Sequence, residues 1–180
     1  RNLLFVTDIR KHQVHVFSID WSFVRSIGSK GYGDGQFDQP LRVTVIANGE
    51  LVVCDYNNHR LQFFDIESGS FVRSVGTKGS GLGQFSHPSG ICYCLDSLYV
   101  ADTDNNRICI LSTRDGSFTR SFGSRGSSNG QFDHPRDVCV SDNGNFVIVA
   151  DSYNHRVQVL HVDSTEVHVA SHGLCGEFSY

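Results

Sequence analysis

An all-β fold, a β-propeller built of four-stranded antiparallel blades, is predicted by three observations. A set of motifs recurs at a nearly constant spacing, four short apolar runs lie between successive markers, and turn residues separate those runs. Phe23-Val24-Arg25-Ser26-Ile27-Gly28 returns at 71–76 and, altered, at 118–123. Gly-Gln-Phe stands at 35–37, 83–85 and 130–132, so the step is 48 and then 47 residues. Pro40, Pro88 and Pro135 each follow the phenylalanine by three positions.

The elements follow in order from these markers. Residues 2–28 supply strands b to d of a first blade, with Asp8-Ile9-Arg10-Lys11-His12-Gln13 as a degenerate b–c turn. Residues 39–76 form a complete blade whose strands are Leu41–Val45, Leu51–Cys54, Leu61–Phe64 and Phe71–Val75. Blades at 87–123 and 134–172 repeat it, and 173–180 leads into a next blade through Gly176-Glu177-Phe178. About four blades are therefore expected, three of them complete, within one segment covering 1–180. Blades hide apolar faces only against each other, so an open arc leaves two such faces in water. The expectation is a six-bladed ring, completed by further sequence or by another subunit.

Composition narrows the function classes. A formal net charge of -4 argues against a surface that grips nucleic acid all over, though not against one basic patch. No apolar run reaches bilayer-spanning length, so no membrane partner is expected. The absence of a signal peptide and of Asn-x-Ser/Thr sequons points to a cytoplasmic setting.

The combination Gly-Gln-Phe-x-x-Pro, an inner strand, Asp-x-x-Asn-His-Arg and Phe-x-Arg-Ser-x-Gly resembles the NHL repeat over almost the whole chain. Asn58-His59-Arg60-Leu61 and Asn154-His155-Arg156-Val157 carry the naming motif; Asn106 replaces the histidine in one unit, and Lys11 and Gln13 depart in the first. The resemblance implies a propeller, usually of six blades, often attached to ubiquitin ligases, RNA regulators or bacterial sensor kinases.

Several motifs could suggest chemistry. Asp8, Asp55, Asp102 and Asp151 end strand b in all four copies, with Arg60, Arg107 and Arg156 five residues after the last three. A catalytic carboxylate is needed once, whereas a turn carboxylate that takes backbone N–H groups and faces an arginine is needed in every blade. These residues read as a structural repeat motif. The glycine loops lead into strands and not into a helix N-terminus, so they are turns and not phosphate cradles. Arg107 and Thr113 stand where a calcium loop begun at Asp102 would need glycine and glutamate.

Cys54, Cys92 and Cys139 take repeat positions held elsewhere by alanine or threonine, which predicts compact buried thiols; Cys92 and Cys94 share one strand face without the usual zinc spacing, and Cys109 and Cys175 have no evident partner. His87 and His134 precede prolines, and His161, His168 and His172 lie near the last outer strand. The NHL-like amidating lyase binds zinc through channel histidines, but His87 and His134 belong to the repeat, with Gln39 in the third copy. No metal site, cofactor or catalytic residue is predicted.

In a propeller the d–a and b–c loops share one face. Positions that differ between blades are free to recognise a partner, and here they include Arg10, Lys11, Tyr32, Arg42, Tyr56, Arg136 and Tyr153, with Lys30, Lys78 and Arg125 adding one cation per blade. Arginine and tyrosine serve as anchors in protein interfaces. The same residues suit single-stranded RNA, while Asp34, Asp38, Asp104, Asp133 and Asp137 dilute the charge. The predicted function is a non-catalytic scaffold for protein–protein interaction, with RNA recognition by the same face as the alternative and a lyase- or lactonase-like enzyme behind it.

Overall fold

The computed structural model describes residues 2–162 and 167–171. The first sheet holds β1 (Leu3–Asp8), β2 (Gln13–Ser18) and β3 (Phe23–Ile27). The second holds β4 (Pro40–Val45), β5 (Glu50–Asp55), β6 (Arg60–Asp65) and β7 (Phe71–Val75). A short parallel pair, β8 (Thr77–Lys78) and β9 (Gln84–Phe85), precedes the third sheet. That sheet contains β10 (Pro88–Cys94), β11 (Ser97–Asp102), β12 (Arg107–Ser112) and β13 (Phe118–Phe122). The fourth contains β14 (Pro135–Val140), β15 (Phe146–Asp151), β16 (Arg156–Val162) and β17 (Val167–Ser171).

Every blade sheet is antiparallel, with its strands side by side in sequence order, and among the inner strands β10 neighbours both β4 and β14. Among the described residues the blades form an open arc in which the first sheet has no inner strand. Gly176-Glu177-Phe178, Cys175, His172 and the expected lead-in at 173–180 lie outside the described residues.

Alternation along each strand explains the packing, because successive side chains point to opposite faces. Leu51 and Val53 of β5 join Val14, Val16, Phe37 and Phe64 between the first and second sheets. Val52 and Cys54, one residue out of phase, join Phe85, Leu98 and Val100 between the second and third. A third core, around Phe132, Val138, Val149 and Leu160, joins the third and fourth. Strand β5 is accordingly buried on both faces, whereas β15 alternates buried and half-buried residues.

The phenylalanine of each Gly-Gln-Phe is the wedge of one such core. Phe37, Phe85 and Phe132 are fully buried, each worth about 1.5–3 kcal/mol of transfer free energy. A glycine at the end of each outer strand makes room for the wedge: a Cβ on Gly76, whose φ is +99°, would stand 2.4 Å from the Phe85 ring.

Inner strands are irregular at their first residues. Pairing with strand b slips between Pro40 and Val43, between Pro88 and Ile91, and between Pro135 and Asp137. Such bulges re-aim side chains. Here the displaced residues include Arg42, Ser89 and Arg136, which line one cavity.

Candidate functional site

The loops between blades and the b–c turns meet on one face. Asn57 donates its backbone N–H to Asp38 O at 3.1 Å, Asp104 to Ser86 O at 3.1 Å and Tyr153 to Asp133 O at 3.0 Å. Each contact joins a b–c turn to the d–a loop that leads into the same blade.

Beneath this face, Asp55, Asp102 and Asp151 have no exposed surface. Asp55 accepts the backbone N–H of Asp38 (2.8 Å), the Asn58 amide (2.9 Å), Arg60 Nε (2.8 Å) and Gln62 Nε2 (3.0 Å). Asp151 repeats the set with Asp133, Asn154, Arg156 and Gln158. Asp102 keeps Ser86, Asn105 and Arg107 but meets the Cys109 thiol at 3.7 Å in place of an amide. Burial raises the Asp102 pKa against the lowering effect of its hydrogen bonds. The arginines extend under the glycine loops, where Arg60 donates to Gly33 O (2.7 Å) and Gln36 O (2.9 Å). These carboxylates are engaged by structural partners, Asp55 and Asp151 with one amide donor more than Asp102.

Asp8 differs. Its carboxylate takes the N–H groups of Arg10 (3.1 Å) and Lys11 (2.9 Å) and lies 3.3 Å from His15 Nε2, and its side chain is 27% exposed. The residue five positions on is Gln13, whose amide donates to Gly28 O instead.

A second repeated contact ties neighbouring blades. A 3-10 turn follows β5, β11 and β15, and it ends at His59, Asn106 and His155 in the left-handed region. His59 Nδ1 accepts the N–H of His87 at 3.1 Å, Asn106 Oδ1 that of His134 at 2.9 Å, and His12 Nδ1 that of Gln39 at 3.0 Å. Each donor immediately precedes the proline of the next blade. Burial and then the neighbouring His87 lower the pKa of His59.

Four of the variable residues come close together, Arg42, Tyr56 and Arg136 around one cavity and Tyr153 beside it. Tyr56 lies 4.7 Å from the His87 ring and Tyr153 stacks on His134 at 4.2 Å. Asp104 stands between the two histidines, 2.6 Å from His87 Nδ1 and 4.0 Å from His134 Nε2. Below them is a cavity of about 340 Å³, with Ile9 and Leu41 as apolar wall and Arg42, Tyr56, Thr103 and Arg136 as polar lining. Burial, followed by Asp104, raises the pKa of the Tyr56 phenol, which keeps it a neutral donor.

Of the candidate binding residues, Arg42, Tyr56 and Arg136 share this cavity, and the Tyr153–His134 stack lies beside it. Arg10 and Lys11 are exposed on the first b–c turn. Lys30, Lys78 and Arg125 stand one per blade beside the phenylalanine wedges, and Tyr32 is exposed in its glycine loop; none of these four lines the cavity. Arg42 is not free: its guanidinium pairs with Asp137 at 2.7 Å. The sequence carried one sign of this pairing, since Arg42, Gly90 and Asp137 occupy equivalent places in successive inner strands.

Among the described residues Cys54 and Cys109 are buried, Cys92 and Cys94 half-buried and Cys139 exposed, and none forms a disulfide. The compact buried slot expected for Cys139 is therefore open, because it lies on the face of the fourth sheet turned away from the third.

The NHL repeat family model matches residues 37–64, 85–111 and 132–160. Over 40 residues, 22% of this chain, it is 50% identical to the B-box type zinc finger protein ncl-1 of Caenorhabditis elegans and 48% identical to the protein brain tumor of Drosophila melanogaster. Those matches span 5% and 4% of the two relatives. Among solved structures, the chain superposes on the RRP9 WD40 repeats with a TM-score of 0.71 at 11% identity, covering 93% of this chain and 47% of that one. It also superposes on a catalytically inactive virginiamycin B lyase from Staphylococcus aureus with a TM-score of 0.68 at 16% identity, covering 94% and 53%. At such identities a likeness speaks for the propeller fold alone.

Proposed function

This chain carries NHL repeats folded as propeller blades, and from that premise we propose that it is a non-catalytic scaffold for protein–protein interaction. Its working surface is the face of the d–a and b–c loops, in a cytoplasmic protein whose ring further blades bring to six. One observation carries this reading: the carboxylates that recur in complete blades are consumed by structural hydrogen bonds, while Arg42, Tyr56 and Arg136, which vary between blades, line one cavity. Tyrosine and arginine in such a cavity can anchor a partner at low entropic cost.

Affinity capture with quantitative mass spectrometry tests it. A variant combining Tyr32→Ala, Arg136→Ala and Tyr153→Ala loses its protein partners, while Arg114→Ala, on the exposed c–d turn of the third blade, keeps them. Loss with Arg114→Ala and retention by the triple variant would refute the assignment of the face.

Single-stranded RNA recognition by the same face is the second reading. The stacked His134–Tyr153 pair, with Tyr153 56% exposed, favours it as a platform for a base. It requires affinity that falls steeply with salt and is lost on charge reversal at Lys11, Arg42 and Arg136.

A further inference from the structure

Resting on the scaffold reading, we propose that the cavity lined by Arg42, Tyr56 and Arg136 captures an aspartate or glutamate side chain from a loop of the partner, with Arg136 as the anchoring cation. Three features of the cavity select that ligand.

The first is charge. Arg42 and Arg136 both line the cavity, but Arg42 is neutralised by Asp137 at 2.7 Å. Arg136 makes no side-chain hydrogen bond or ion pair among the described residues. A single open guanidinium presents a planar fork that matches one carboxylate. The second is shape and polarity. About 340 Å³ bounded by Ile9, Leu41 and the Tyr56 ring accepts a short aliphatic stem, and the Tyr56 hydroxyl adds a neutral donor. Ser89 and Thr103 complete the floor without competing for the ligand, since their two hydroxyl protons have the carbonyls of Arg136 (2.8 Å) and Pro135 (2.9 Å) as acceptors.

The third is the rim, which separates peptide from nucleic acid. Asp104 lies between His87 and His134, Asp133 is 2.6 Å from His134 Nδ1, and Asp38 is 3.4 Å from His12. A polyanion that puts one phosphate on Arg136 must run its next phosphates past these carboxylates. An isolated acidic side chain in a peptide meets no such penalty, and a basic neighbour in that peptide would find Asp104 between two aromatic pairs.

The test is selection of a phage-displayed library of random twelve-residue peptides on the whole chain, with a twelve-nucleotide oligouridylate as the competing probe. Selected peptides are expected to share one acidic residue, to lose at least ten-fold in affinity on Arg136→Ala, and to resist displacement by the oligonucleotide. Arg136 is exposed, so the variant folds, and an unchanged melting temperature checks this. Peptides with no shared acidic residue, or binding indifferent to Arg136→Ala, would overturn the acidic anchor and leave the scaffold reading standing. Tight oligouridylate binding with no peptide selected would overturn both.

Discussion

The backbone N–H of His87 is held by Nδ1 of His59 at 3.1 Å, so that one blade grips the next through a ring nitrogen. That nitrogen can accept only while unprotonated. Burial and His87 hold the His59 pKa below its ordinary 6.5. The folded state therefore prefers the neutral ring; the stability this contributes is complete above 6.5 and is lost as pH falls through the lower folded value. His59→Asn, which copies Asn106, should remove that part of the acid sensitivity. Thermal melts from pH 8 to pH 5 check it, and an unaltered pH profile in the variant would exclude the latch as its source.

Asp55 and Asp8 end equivalent strands but should respond differently to alanine. Removing Asp55 strands Arg60, Gln62, Asn58 and the Asp38 N–H around an empty buried site, at a cost of about 3–5 kcal/mol. Removing the partly exposed Asp8 loses only the cap of one turn and should cost clearly less. Urea unfolding of the two variants measures the gap.

Cys109→Gln should stabilise the protein by about 1 kcal/mol at neutral pH. The amide supplies Asp102 with the donor that Gln62 and Gln158 give their aspartates, and an acceptor like those that serve Gly35 (2.9 Å) and Gly130 (3.0 Å). Burial holds the Asp102 pKa above 3.8, so its charged form weakens the fold as pH rises through and beyond that value. The gain from the new donor should shrink as pH falls through the raised folded-state pKa of Asp102, which lies above 3.8. Chemical denaturation at pH 7 and pH 3.5 compares the two.

Gly76→Ala should cost about 3 kcal/mol. The added methyl would stand 2.4 Å from a fully buried ring, on a backbone with a φ of +99° that L-residues rarely adopt. Gly83→Ala has open space around its Cβ and carries only the strain of its φ of +71°. The difference between their unfolding midpoints isolates the wedge contact.

Thiol reactivity should follow exposure and desolvation. Burial pushes the Cys54 and Cys109 thiols far above their ordinary range, and both are sealed in the core. Of the described cysteines, Cys139 should label first with iodoacetamide, and Cys54 and Cys109 only on unfolding; mass spectrometry over a time course reads the order.

The propeller could be read from the chain because its physics is periodic: each blade needs the same wedge, the same turn and the same two-faced strands, so Phe37, Phe85 and Phe132 announce themselves. The weakness of the Asp8 knot was visible as well, in Lys11 and Gln13 where the other copies have asparagine and arginine. Contacts between blades were hidden. The donors at Gln39, His87 and His134 are backbone groups, which side-chain patterns do not display, and these residues take a positive φ that their types do not suggest. For the neutralisation of Arg42 the sequence offered only the equivalent places of Arg42, Gly90 and Asp137, because the pairing itself depends on a bulge and on the packing of three inner strands.

The link from Arg42 to Asp137 closes a loop across 95 positions of sequence. Contacts so remote form only after the intervening chain is in place, since their closure entropy must be met first. Gly90, whose missing side chain lets β14 approach β10, is part of the same junction. During synthesis from the N-terminus, the recognition surface is therefore a late product: the earlier sheets can pair and pack, but no ligand-ready mouth exists until the strand bearing Arg136 and Asp137 has docked. A chain halted before that strand would be partly folded and blind to its partner.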